Sequence, residues 1–168
     1  LITKSSPKSL LAENNRMVQQ VSTSGIVPQL LGALGAIFTV AGVGDLMSHL
    51  ISGFVPSGNR LMGVVAYVLG MVLFSMIMGN AFAAFTVITA GIGVPFVFSL
   101  GADPIVAGAL AMTAGCCGTL LTPMAANFNT LPVALLDMKD SNGVIKAQVG
   151  VAIVMIIIHV FLMYFLAF

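Results

Sequence analysis

Two short runs in an otherwise apolar chain combine helix-breaking residues with uncharged polar ones. The first is Gly79-Asn80-Ala81; the second is Gly118-Thr119-Leu120-Leu121-Thr122-Pro123. Where a helix is interrupted, its backbone N–H and C=O groups lose their partners. A half-helix starting after the gap turns N–H groups and partial positive charge toward it, which suits an anion, while one ending there offers carbonyl oxygens to a cation. Asn80, Thr119 and Thr122 would add side-chain donors and acceptors without the cost of a buried charge, and Asn127 and Asn129 follow close behind the second run. His159 is the one ionisable side chain deep in the last apolar segment, where it reads either as an interhelical hydrogen bond or as a proton relay.

Catalysis finds little support. The apolar stretches hold no acid–base pair, no His–Glu spacing for a metal and no serine with a plausible base. The expectation is a non-enzyme without metal or cofactor. Cys116 and Cys117 are adjacent, a poor arrangement for a disulfide, and read as small packing residues.

The elements that must position these groups are membrane helices. Of 168 residues only 11 are charged, or 7%, against roughly 25% in soluble domains. Hydrophobic residues make up 59% and the mean hydropathy is +1.12. So few charges cannot solvate a globule, and so much apolar surface excludes disorder. A net charge of +1 with no basic, aromatic-interleaved patch gives no case for nucleic acid. Between Met17 and Met138 the charged residues are Asp45, Arg60, Asp103 and Asp137 alone. Several stretches therefore reach the roughly 20 apolar residues a span needs. The fold class expected is an all-α, polytopic membrane bundle.

Residues 1–24 form a polar lead and 25–168 a transmembrane domain. The chain opens at Leu1, and an amino-terminal part is expected to precede it. A first span covers about Ile26 to Gly44, and a short interfacial helix ending in a turn covers 45–60, with Pro56 in it. Residues 61–102 carry no charge and are broken at Gly79-Asn80 and again at Gly91, Gly93 and Pro95. They make either two full spans or a re-entrant hairpin. Asp103-Pro104 is a cap followed by a first-turn proline, with helix to about Gly115. Asp45 also reads as a cap. The Thr119–Pro123 break follows, then a second helical piece from Met124 to Leu136, a polar loop over 137–146 and a final span from Ala147 to Phe168. Placing the lead and the 137–146 loop on one side gathers Lys4, Lys8, Arg16, Lys139 and Lys146 there and leaves Arg60 on the other, so the positive-inside rule makes the first side cytoplasmic.

The run Met78-Gly79-Asn80-Ala81-Phe82-Ala83-Ala84-Phe85-Thr86, with Gly91-Ile92-Gly93-Val94-Pro95 after it, resembles a hairpin tip of the ion transporter superfamily, which includes divalent-anion/sodium symporters. The run Gly118 to Asn129 resembles the Thr-Pro break of the helix that follows such a hairpin. The stretch from Ile26 to Phe168 resembles the carboxy-terminal half of a bacterial 5-oxoproline (pyroglutamate) transporter membrane subunit. The resemblance implies one repeat of an inverted-repeat transporter, a second and different membrane subunit as partner, and a bacterial cytoplasmic membrane location. It puts Asn80 at a tip near substrate or cation, with Thr122 and Pro123 in an unwound loop facing it and Thr119 close by. Such tips usually read Ser-Asn-Thr; the Gly79-Asn80-Ala81 of this chain leaves the coupling ion open between Na+ and H+.

The function expected is therefore a secondary transporter subunit moving a small organic anion by alternating access, with substrate or ion contacts from Gly79, Asn80, Ala81, Thr119, Thr122, Pro123 and Asn127. Paired interruptions in corresponding segments are how such proteins build midplane sites. The alternatives are a structural or assembly subunit whose breaks are packing kinks, and a channel, which would need a pore lined by polar rings. Assembly as a homo-oligomer is left open.

Overall fold

The computed structural model describes residues 7–53 and 58–168; Lys4 and Pro56, placed above, lie outside them. All regular structure among the described residues is helical. Eight α-helices run in chain order: α1 (Pro7–Val40), α2 (Val43–Ser52), α3 (Arg60–Met78), α4 (Ala81–Ile88), α5 (Val94–Phe96), α6 (Pro104–Leu120), α7 (Leu131–Leu135) and α8 (Gly143–Leu166).

The polar lead is not a separate element. Its described residues, 7–24, are the first part of α1, which continues without interruption into the first apolar segment. Residues such as Leu11, Ala12, Glu13, Arg16, Met17 and Gln19 are good helix formers, so polarity changes near residue 25 while backbone conformation does not. The first apolar helix ends at Val40 rather than Gly44. Gly42 takes a left-handed φ of 72°, which glycine adopts without penalty, and turns the chain into α2. Asp45 sits inside the first turn of α2 instead of capping it. α2 is not a free surface helix either: Gly44 presses on Gly91, where a side chain would overlap the Gly44 carbonyl oxygen.

α3 is the centre of the core. Val64, Tyr67, Val68, Met71, Ser75 and Met78 are fully buried along it, against α4, α6 and α8. Asn59 starts it by accepting from the Met62 N–H. Beyond Asn80 the chain doubles back, so that Gly63, at the start of α3, meets the Phe96 carbonyl at the end of the return arm. The return arm is not one regular helix. Pro95 has no N–H to give the carbonyl four residues back, and the ladder slips into a π-turn over Thr89–Gly93, with the Val94 N–H reaching Thr89. The buried Tyr67 hydroxyl meets Thr89 Oγ1 at 2.8 Å across this turn.

Asp103 caps α6 as the sequence indicates, accepting from the Ile105 and Val106 N–H groups. α6 does not stop near Gly115 but continues to Leu120. Two of its glycines sit where the neighbouring helix leaves no room: a Cβ on Gly118 would lie 2.5 Å from the Val72 carbonyl oxygen, and one on Gly115 2.9 Å from Ser75 Oγ. Close packing repays their poor helix propensity. The break comes at Leu121–Ala125, where Pro123 disfavours helix at Thr122 and gives no N–H itself. The expected helix from Met124 to Leu136 is instead a π-turn over Ala126–Thr130 leading into α7, because Pro132 interrupts the ladder.

Three described helical stretches are long and apolar enough to cross a bilayer: Arg60–Met78, Ala81–Leu100 and Gly143–Leu166. At about 1.5 Å per residue, the 19 residues of α3 cover about 28 Å, close to the roughly 30 Å of a hydrocarbon core. The two ends of the bundle differ. At one, Arg60 lies over the Phe168 ring at 5.0 Å and the Asp103 N–H donates to Ala167 O at 2.8 Å. At the other, Arg16 pairs with Asp137 at 3.1 Å and Lys146 with Asp140 at 2.8 Å. The lead and the 137–146 loop therefore share an end.

Candidate functional site

The two breaks meet. Gly79 closes α3 in the left-handed region (φ 65°), with its N–H on Ser75 O, and a Cβ on it would overlap the Met124 carbonyl oxygen. The hairpin tip thus rests on the loop that interrupts the chain after α6. Asn80 follows as the N-cap of α4, its Oδ1 accepting from Phe82 N–H (2.9 Å) and Ala83 N–H (3.4 Å). Gly79 and Asn80 together end one helix and begin the next in two residues, using side chain and backbone to satisfy both ends. Ala81 is buried beside them, against α6 near Gly115.

On the other side of the seam, Thr119 lies inside α6 rather than in an unwound loop. It is buried, and its hydroxyl donates to the Cys116 carbonyl at 2.6 Å. Thr122 is in the break, and its Oγ1 accepts from the Met124 N–H at 3.2 Å. Pro123 is exposed, and its carbonyl accepts from Thr130 Oγ1 at 3.2 Å. Each of the three hydroxyls here serves a local backbone group.

The residue that organises the break is Asn129. Its side chain is 1% exposed, and Nδ2 donates to the carbonyls of Thr122 (2.6 Å), Thr119 (3.0 Å) and Leu120 (3.4 Å). These are the terminal carbonyls that an ending helix leaves open. Asn127 belongs to the same π-turn, and its side chain lies outside the described residues. Of the two asparagines behind the second run, the sequence expectation gave Asn127 the site role. The residue shown closing the break is Asn129, and the signal for it was only that Asn129 follows Thr122-Pro123 at a distance that lets a turn fold back. Two buried oxygens near the seam have no partner among the described residues: Asn129 Oδ1 and Ser75 Oγ, the latter facing Gly115. The side-chain polar capacity left over at the seam is therefore the amide NH2 of the half-buried Asn80, the hydroxyl proton of Thr122 and two buried oxygens.

His159 is set apart from the seam. It is 4% exposed and bridges helices, with Nε2 at 2.8 Å from Thr113 Oγ1 on α6 and Nδ1 at 2.6 Å from Met155 O on its own helix. Cys116 and Cys117 are free thiols, with Cys117 in the apolar core. Among the described residues no group of three His, Cys, Asp or Glu side chains is placed to hold a metal. An apolar cleft of about 370 Å³, lined by Ala36, Ile37, Val40 and Ala41, opens on α1 and offers no polar group to a ligand.

Helices of this length and apolarity, with uncharged polar groups gathered at one seam between two chain breaks, define an all-helical membrane protein. The chain belongs to the family described as "Protein of unknown function (DUF979)", whose model matches residues 1–168. No curated protein and no solved structure matches it.

Proposed function

We propose that this chain is a subunit of a secondary transporter that moves a small organic anion, with 5-oxoproline as the first candidate, across the bacterial cytoplasmic membrane by alternating access. The observation that carries the reading is the seat of Gly79 on the Met124 carbonyl, which puts two helix interruptions, far apart in sequence, against each other. In lipid an interruption is tolerated only where protein or water meets it, and paired interruptions are a transporter's way of presenting backbone to a ligand. α3, α6 and α8 carry no carboxylate and no arginine or lysine away from their ends, so the ligand would be held by amide and backbone groups. A carboxylate would take the Phe82 and Ala83 N–H groups from Asn80 Oδ1, freeing the Asn80 side chain to turn to the rest of the ligand. A single negative charge suits this supply of donors. The ion transporter superfamily, the re-entrant geometry of the 61–102 hairpin and a second membrane subunit that completes the site belong to the same proposal.

The test is uptake of labelled 5-oxoproline, with other carboxylates as competitors, by cells carrying this chain and its partner subunit. Asn80→Ala and Thr122→Ala should abolish uptake while the protein still reaches the membrane. Wild-type rates in both would remove the seam from the mechanism.

A second reading is an assembly subunit that does not transport. It is favoured by the way Asn80, Thr119 and Thr122 each satisfy neighbouring backbone, as packing kinks would require. Retention of uptake in the Asn80→Ala variant would support it.

A further inference from the structure

The pair His159 and Thr113 has a property that emerges when its protons are counted. Nδ1 of His159 faces the Met155 carbonyl at 2.6 Å. A carbonyl only accepts, so Nδ1 carries a proton whatever the charge of the ring. Nε2 is then the nitrogen that gains or loses one. Its partner, Thr113 Oγ1, lies 2.8 Å away and also sits 3.1 Å from Ala109 O and 3.0 Å from Leu110 O. That hydroxyl owns one proton. With a neutral ring, bare Nε2 must accept it, and both carbonyls lose it. With a charged ring, Nε2–H donates to Oγ1, and the hydroxyl proton serves Ala109 or Leu110. The ring therefore takes up a proton without losing its bond to Thr113 and without moving a heavy atom, because the hydroxyl reverses roles.

From this we infer that Nε2 of His159, with Thr113, is a proton-binding site within the bundle, and that, if the transport reading above holds, it is the site of the coupling proton. The helices packed against α8 here are α6, α3 and α7. Their titratable and charged groups are Cys116 and Cys117 on α6, with Asp103 capping its start; Tyr67, bonded to Thr89, and Arg60, at the far end of α3; α7 has none. α8 itself adds Lys146 and Tyr164. None of these helices carries a carboxylate within its length, so no ion pair fixes the charge of the ring. Thr113 is at the exposed edge of the α6–α8 contact.

The experiment has two arms. In the first, the full chain carrying His49→Gln, so that one imidazole remains, is placed in lipid nanodiscs and titrated by nitrogen-15 NMR. The expected result is a neutral ring protonated at Nδ1, with Nε2 titrating as pH falls. A neutral ring protonated at Nε2, or no titration down to the pH at which the protein unfolds, overturns the site. In the second arm, labelled 5-oxoproline uptake is measured with and without an imposed inward proton gradient. Wild-type uptake should rise with the gradient, and His159→Gln should keep downhill uptake and lose the rise. An equal rise in His159→Gln overturns the coupling role. Absence of uptake in the wild type, gradient or not, overturns the transport reading and with it the coupling role, while the first arm still decides the proton site.

Discussion

Gly79 lies directly against the carbonyl oxygen of Met124, with no space between them for a side chain. Two constraints coincide at this glycine, because its φ of 65° is also left-handed. Gly79→Ala should therefore cost at least the about 1–2 kcal/mol of forcing an L-residue into that region, plus whatever is needed to lift the tip off the loop. A clear fall in the detergent melting temperature is expected, together with reduced uptake. Gly58, also at positive φ (95°) but with no neighbour within 4 Å, is the control: its alanine variant bears the backbone cost alone.

Asn129→Leu removes the donor shared by three carbonyls and leaves those of Thr119 and Leu120 without one, while Thr122 O keeps the Ala125 N–H. An unsatisfied buried polar group costs about 1–3 kcal/mol, so a loss of about 2–3 kcal/mol or more is expected for the set. Denaturation in mixed micelles measures it. Asn127→Leu should cost less if Asn129 is the residue that holds the break together, and an equal loss in both variants would contradict that assignment.

Asn80 can be tested for its cap and its amide separately. Asn80→Ala should lose about 1 kcal/mol of stability, as N-cap deletions do. Asn80→Asp keeps an oxygen for Phe82 and Ala83 but lacks the NH2 group and adds charge. If Asn80 contacts an anionic ligand, the aspartate variant should stay folded and lose uptake. Full uptake in Asn80→Asp would reduce the residue to a cap.

Outside the bundle, the Lys146 hydrogen bond, and after it the Asn142 N–H, hold the Asp140 carboxyl below its ordinary pKa of 3.8. A depressed folded-state pKa means the contribution is present above the ordinary value and is lost as pH falls through the lowered one. Amide protection over 142–146, at the start of α8, should therefore drop on acidification below about pH 3.8. Asp140→Asn should show the weaker protection at every pH; an unchanged acid response in that variant would assign the effect elsewhere.

The sequence carried the fold class because charge scarcity leaves few options: with four charged residues between Met17 and Met138, the chain has to be helical and apolar on its outside. The joint at Gly79-Asn80 and the Asp103-Pro104 start were legible for the same local reason, since caps and left-handed turns are chosen by the residue itself. The end of α6 was not. Glycines at 115 and 118 read as breakers until Val72 and Ser75 are seen to need that space. Asn127 and Asn129 differ by two positions, and which of them turns inward depends on the π-turn at Ala126–Thr130, whose register no periodic pattern announces. The pairing of His159 with Thr113 is a tertiary fact, 46 positions apart in the chain.

Among the described residues, no hydrogen bond joins 79–83 to 119–130, although the two stretches touch. Each side makes its hydrogen bonds within itself: Asn80 serves α4, and Asn129, Thr122 and Thr130 serve the break. The surfaces are like two finished tiles laid edge to edge. Sliding them apart would forfeit dispersion contacts but strip no donor or acceptor of its partner. For the transport reading proposed above, this means that no hydrogen bond between the two stretches would have to be remade as the hairpin and the break move.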